Sequence, residues 1–533
     1  MSTLCATALA RAVSCAGVAA ALLAACTVGP DFVRPQPRTP AHWSAHATAP
    51  PALPAPPSLP APPSLPAPPS LPAPATPRTP PPPPPSTVSE QAGELRAWWR
   101  GFGDPELDSL IGRALDSNLD LRAAVLRIEE ARAQRAIAAA AYWPTLSLDG
   151  SYSRQRFSET TPSGSLFSSA SSIHLPGGTS IEIPNPYNQF QLSADASWEI
   201  DLFGRVRRSV EAARAAQQAS VEDHRAVMVS VLADVAQSYV ELRGAQARLR
   251  VAEENLGTIN ELLDLTRQRL AAGLTTHIDV SNATAQATAT RAELPAFDLQ
   301  ITQSINQLSQ LLGREPEALR AELQSPSPVP SVPSEVSIGL PAELARRRPD
   351  IREAEANLHA ATAQIGVAVA DLFPRLTLSA SGGFQSETTG SLLEWASRFG
   401  SLGPTLDLPI FDRGRWKTVR LYHVRAQEAA LAYQRTVLGA LHEVENALAA
   451  YADDQRRRAW LDATVTQNRD ALALSRKRYE SGVISFIDVL DVERTLQQNE
   501  LSLADSTTAV STDLARLYRS LGGGWQRGST GAD

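Results

Sequence analysis

Hydrophobic positions along this chain keep two different periods. Leu242, Leu249, Leu256, Leu263 and Leu270 recur every seven residues, with Ala245, Ala252 and Ile259 three places after the first three. This a/d seam predicts a long helix from Arg205 to Leu270, packed knobs-into-holes against neighbours. At 1.5 Å per residue it would run roughly 100 Å. Elsewhere the period is two. Phe190, Leu192, Ala194, Ala196, Trp198, Ile200 and Leu202 alternate with Gln191, Ser193, Asp195, Ser197, Glu199 and Asp201. Leu146 and Leu148, then Leu376, Leu378, Ala380 and Phe384, then Leu406, Leu408 and Ile410, follow the same rule. These stretches predict strands with one apolar face, and the Ser/Gly/Thr-rich stretches 158–188 and 385–400 predict exposed loops between them.

The pattern occurs twice. Arg269, Gly273, Ile278, Asp279 and Val280 are matched by Arg478, Gly482, Ile487, Asp488 and Val489, each 209 positions later. The same offset carries the heptad leucines onto Tyr451, Arg458, Val465, Leu472 and Tyr479, so the seam is kept except at Arg458. Two copies of one long helical hairpin therefore build the protein. Each copy is preceded by shorter helices. Leu107, Leu110, Ile111, Ala114 and Leu115 share a face, and helical stretches end at Trp143-Pro144 and Phe373-Pro374, where proline lacks the N–H and clashes with the preceding turn.

The N-terminus changes the picture of where the chain works. Val13 to Ala25 is apolar, after Arg11, and reads as a secretory signal. It ends in Leu23-Ala24-Ala25-Cys26. Residues 47–85 are of low complexity, with three Ala-Pro-Pro-Ser-Leu-Pro units and five consecutive prolines, expected to be an extended spacer between a lipid anchor and the body. No run of eighteen apolar residues follows the first thirty. All three cysteines, Cys5, Cys15 and Cys26, are N-terminal, so the body holds no disulfide. The net charge of −7 argues against a nucleic-acid partner.

Exported alternating strands of this length suit an outer-membrane barrel. Four strands cannot close one; two chains would give a filled eight-stranded barrel, and three give twelve strands and a lumen. The fold expected is therefore α+β: a homotrimeric barrel continued by long periplasmic helices. No enzyme chemistry, cofactor or metal is expected. The eight histidines lack zinc-ligand spacing, and no nucleophile elbow, Walker A or dinucleotide motif occurs. Arg205, Arg207 and Arg208 read as a solvated collar at a helix start, and two methionines are too few for a copper path.

Particular residues carry a family resemblance. They are the lipobox at Cys26, Leu312-Gly313-Arg314-Glu315-Pro316, Arg347-Arg348-Pro349-Asp350-Ile351-Arg352, Phe373-Pro374, Pro409-Ile410-Phe411-Asp412, Ile487-Asp488-Val489-Leu490-Asp491, and Leu517-Tyr518 through Gly524-Trp525. Together they resemble the TolC family of outer-membrane efflux channels, in its lipidated branch with OprM and NodT, over nearly all of the chain outside 36–90. The resemblance implies a passive conduit of a tripartite pump. Its partners would be a periplasmic adaptor, an inner-membrane transporter of the RND type and outer-membrane lipid. It divides the chain into a signal peptide (1–25), a lipidated arm (26–46), a proline-rich linker (47–90), two efflux repeats (91–320 and 321–525) and a tail (526–533). It also implies a channel gate at Ile487, Asp488, Asp491 and Arg494, with Arg494 as the partner of Asp491, and an inter-helix link between Asp279 and Tyr479. Two other uses stay open: the channel of a type I protein secretion system, and a non-conducting envelope tether. Asp279 and Asp488 also have a plain structural use, since Thr276-x-x-Asp279 and Ser485-x-x-Asp488 have capping-box form.

Overall fold

A computed structural model describes residues 27–37, 39–44, 86–89, 95–158, 160–161, 165 and 185–526. Cys26, the signal stretch, residues 47–85 and the tail after Gln526 lie outside the described residues. The chain divides into two compact units. One holds residues up to 35, 129–219 and 355–432; the other holds 36–128, 220–354 and 433–533.

The first unit is built on a sheet of β2 (Thr145–Gln155), β3 (Tyr187–Ile200), β5 (Arg375–Ser386) and β6 (Arg398–Asp407), antiparallel in the order β2-β3-β5-β6. The register places Leu146 opposite Ala196, Ala196 opposite Ala380, and Ala380 opposite Leu402. Directly opposed residues share a face, so Leu146, Leu148, Leu192, Trp198, Leu378, Leu402 and Leu406 lie on one side. Ser147, Asp149, Asp195, Ser381 and Ser401 lie on the other. Leu146, Leu148, Leu402 and Leu406 are exposed, so nothing among the described residues covers the apolar face there. β3 ends before Leu202 and β6 before Leu408 and Ile410, shorter than the alternation predicts. The Asp201 carboxylate instead accepts from the N–H groups of Val206 and Arg207, and Asp412 accepts from Gly414 and Arg415, so each chain turns early to start a helix.

Those helices are α3 (Arg205–Ala271) and α8 (Arg413–Glu480). The arginines at the start of α3 are not the solvated collar expected. Arg205 forms two bonds to Glu199 at 2.8 and 2.6 Å, and Arg207 pairs with Asp201 at 3.3 Å. Arg208 is buried, bonded to Asp31 and to Glu211, and also donates to the Val28 carbonyl. These contacts seat residues 27–35 as a strap on the first unit, where Phe32 stacks on His359 at 4.4 Å and Arg34 pairs with Glu355 at 2.8 Å.

The second unit packs α1 (Pro105–Ser117), the first turns of α2 (Leu119–Ala140), α4 (His277–Leu311), the short α5 (Arg320–Leu323) and α6 (Pro341–Arg347), the start of α7 (Pro349–Ala370) and α9 (Phe486–Ser520) with the rest of α3 and α8. Pro105 and the Asp104 cap, which accepts from Glu106 and Leu107, start α1. Its stripe of Leu107, Leu110 and Ile111 joins Tyr239, Leu242, Val437, Tyr451 and Val510 in one buried cluster. β1 (Thr87–Ser89) pairs in parallel with β4 (Glu335–Ser337) beside it. Trp525 lies under the guanidinium groups of Arg225 and Arg352, at 4.6 and 5.2 Å from its ring. Both arginines also pair, at 2.7 Å, with Glu222, which is 1% exposed.

The proline-rich tract expected to be a spacer lies outside the described residues, but the residues on both sides of it are fixed to the body. Before it, Trp43 is 2% exposed and donates to the Gly339 carbonyl at 2.9 Å, and the Ser44 N–H donates to Glu445 at 2.7 Å. After it, the Ser86 N–H donates to Gln455 at 2.8 Å and β1 begins. Both ends are fixed to the second unit, on one helix.

Where α3 meets α9, Gly244 lies against Thr508, and a Cβ at Gly244 would overlap that side chain. Replacing Gly244 by Ala should lower the thermal midpoint of the purified protein, at a cost of about 1–3 kcal/mol. Thr508→Ala in the same chain should recover part of the loss, a non-additivity that circular-dichroism melts would read.

Candidate functional site

The two hairpins turn in the same way. Gly273 and Gly482 have φ of 71° and 73°, in the left-handed region that glycine adopts without strain, and lie at the turns between α3 and α4 and between α8 and α9. Leu274 N donates to the Arg269 carbonyl at 2.8 Å, and Val483 N to the Arg478 carbonyl at 2.8 Å. Each following helix opens with a complete capping box, Thr276 with Asp279 and Ser485 with Asp488. The Asp279 carboxylate accepts from the Thr275 and Thr276 hydroxyls and the Thr276 N–H at 2.7, 2.8 and 3.0 Å. Asp488 accepts from the Ser485 hydroxyl and N–H at 2.6 and 2.9 Å. Partial burial would raise the Asp279 pKa, but the Thr275 and Thr276 bonds outweigh it and lower it; the Ser485 bonds lower that of Asp488.

Asp279 and Tyr479 are not brought together within the chain. Asp279 is committed to its cap. Tyr479 is buried under the Arg269 guanidinium, 4.6 Å from its ring, with Phe486 edge-on at 5.9 Å. The Tyr479 hydroxyl has no hydrogen-bond partner among the described residues.

Ile487, Asp488, Asp491 and Arg494 share the exposed stripe of α9. The opposite stripe, Phe486, Val489, Leu490, Leu496 and Gln497, is buried against Ile259, Leu262, Val465 and Leu472. The expected ion pair between Asp491 and Arg494 is not formed in the chain. Arg494 donates instead to the Gln286 side chain on α4 at 2.7 Å, and the Asp491 carboxylate has no bond among the described residues. Leu274, Ile278, Val483 and Ile487, paired by the 209-residue repeat, are exposed at the two tips.

Glu493 was not picked out from the sequence. It lies at the centre of the buried stripe and is 2% exposed. The signal was a charged residue in an apolar helical spacing, Val489-Leu490, Glu493, Leu496.

A sheet with one apolar and one polar face and two open edges, feeding long helices, is one part of an oligomeric outer-membrane channel. The outer membrane efflux protein family matches residues 110–314 and 340–523, and the chain belongs to it. It is 37% identical over 432 residues to the outer membrane protein OprJ of Pseudomonas aeruginosa, covering 81% of this chain and 87% of that one. It is 34% identical over 443 residues to the pyoverdine export outer membrane protein OpmQ of the same organism, covering 82% and 89%. Among solved structures it is similar to the outer-membrane channel OprN, with a TM-score of 0.79 and 32% identity over 94% of this chain and 100% of that one. The fold is the TolC-like one, a trimeric outer-membrane β-barrel with four strands per chain, continued by helices and carrying an internal repeat.

The capping boxes are testable. Ser485→Ala and Thr276→Ala should each speed amide exchange in the first turn of the helix they cap, roughly fivefold, with the other tip unchanged.

Proposed function

We propose that this protein is the passive conduit of a tripartite efflux pump, carrying small molecules from the periplasm or from the pump to the cell exterior. The observation that carries the proposal is the open, two-faced sheet continuing into two matched helical hairpins. Three copies place twelve strands around a lumen lined by Ser147, Asp149, Asp195 and Ser381, with Leu146, Leu148 and Leu402 against lipid. The exposed Trp416 and Leu431 of α8 then lie between copies. A periplasmic adaptor docks at the exposed apolar tips, and an inner-membrane transporter of the RND type supplies energy and substrate. OpmQ, named for pyoverdine export, supports small molecules as the cargo. Cys26 carries the lipid, diacylated through sulfur and acylated on its new N-terminus. The two efflux repeats, 91–320 and 321–525, are the working parts, and the arm from 26 to 46 is their tie to the membrane.

The gate is the exposed stripe of α9. In a trimer Asp491 appears three times around one axis, and such a ring repels itself unless cations neutralise it. Arg494, from its position on Gln286, is within a turn of that ring, and Ile487 adds an apolar constriction. Tyr479 serves the tip through its ring, held under Arg269 and against Phe486, and not through its hydroxyl.

Asp491→Ala should raise single-channel conductance in planar bilayers and lower cation selectivity, while Tyr479→Phe should change neither. Unchanged conductance and selectivity in Asp491→Ala would place the gate elsewhere. A folded trimer that never conducts, neither as the wild type nor with Asp491 and Arg494 both replaced, would refute the conduit. Cys26→Ser should abolish the triacyl mass increment at the mature N-terminus and impair sorting more than membrane retention.

A further inference from the structure

Glu493 sits on α9 behind the exposed stripe, on the opposite side of the same turns. Its Oε2 has no hydrogen-bond partner among the described residues. The nearest cation, Arg476 of α8, stops at 3.8 Å, beyond hydrogen-bond length. Arg476 is drawn elsewhere, toward the Thr258 carbonyl at 3.4 Å and Glu261 of α3 at 3.9 Å, and its Nε has no partner. On α9 itself the other charge facing Glu493 is Glu500, which repels it and is held by Arg469 of α8 at 2.7 Å. From α4 come neutral groups only, Gln286 and Thr290, bonded to Gln497 at 3.3 and 3.4 Å. The position 209 residues earlier is Thr284, exposed on α4, so only the second hairpin carries the buried acid.

A carboxyl in this setting is stable as the neutral acid and costly as the anion. We propose that Glu493 is a positioning residue for the exposed stripe of α9: protonated, it lets the first turns of the helix pack on α3 and α8, and its ionisation loosens them. The effect on conduction rests on the gate assigned to that stripe; the effect on packing does not.

Burial, opposed by Arg476 and reinforced by Glu500, pushes the Glu493 pKa to about 7. The packed tip therefore holds a proton that the loosened tip releases between the ordinary carboxyl range, 4.5, and about 7. Packing is strongest below that window and weakens as pH rises through it. The caps have the opposite sign: with lowered pKa values, Asp279 and Asp488 withdraw their contribution only in strong acid, as pH falls below 3.8.

The test is amide exchange in residues 486–497 of the full-length protein, relative to intrinsic rates, between pH 5.5 and 8, with conductance recorded in parallel. Wild type should lose protection about tenfold across that range. Glu493→Gln, which keeps the shape and cannot ionise, should be flat. Arg476→Gln, which removes the one favourable charge, should move the midpoint to higher pH. Glu493→Gln with the wild-type pH profile, or with an equal loss at every pH, would overturn the proposal. So would an unmoved midpoint in Arg476→Gln. Exchange that follows the expected pattern while conductance ignores pH would uphold the positioning role and remove the gate from this stripe.

Discussion

A strand edge cannot be left open in lipid. Each unpaired backbone N–H and C=O in the hydrocarbon costs several kcal/mol, and β2 and β6 are both edges of the four-stranded sheet. That single constraint makes the isolated chain incomplete and imposes association before anything else in the molecule can work. Association by joining the β6 edge of one copy to the β2 edge of the next is head-to-tail, and a head-to-tail contact that closes makes a ring. The apolar residues that are exposed on the sheet and on α8 follow from the same requirement: they are surfaces that belong to the ring and to lipid.

In the helical hairpins, the internal repeat supplies the ring with quasi-equivalent parts, and the differences between copies carry the specialised tasks. Glycines with positive φ recur at both hairpin turns and at both distal helix ends, Gly273 with Gly482 and Gly313 with Gly522. At Gly313 a Cβ would lie 2.8 Å from the Ser117 carbonyl, so the chain passes too close for any side chain. Backbone geometry is therefore shared by the copies. Charge is not: the second hairpin alone buries Glu493.

Most of the fold was legible in the sequence because it is periodic. A heptad seam, a period of two and a fixed offset each depend on many residues, and no local accident erases them. Strand ends were less legible, since Asp201 and Asp412 side chains capture backbone N–H groups and begin helices inside what reads as continued alternation. The arginines of residues 205–208 were misread because their acids, Asp31 and Glu211 among them, come from a strap and from the next helical turn. Pro295 points the same way: it sits inside α4, where a proline rule would end the helix, and the helix continues through it. At the tips, motif spacing gave the capping boxes but not the ring contacts of Tyr479, the Gln286 partner of Arg494 or an Asp491 carboxylate unpaired among the described residues, which depend on how four helices face one another.

The two attachments of the proline-rich tract have an evolutionary corollary. Ser44 and Ser86 are held by Glu445 and Gln455 of the same helix, ten residues and so about 15 Å apart along it. Both attachments are made by residues outside the repeated hexapeptides, so their spacing along the helix does not depend on how many units stand between them in the sequence, and in general doubling the length of a loop costs only about 0.6 kcal/mol in entropy. Hexapeptide units can therefore be gained or lost by replication slippage without moving the strap or the strand β1, which leaves this stretch of the gene free to drift in copy number while the rest of the chain stays constant.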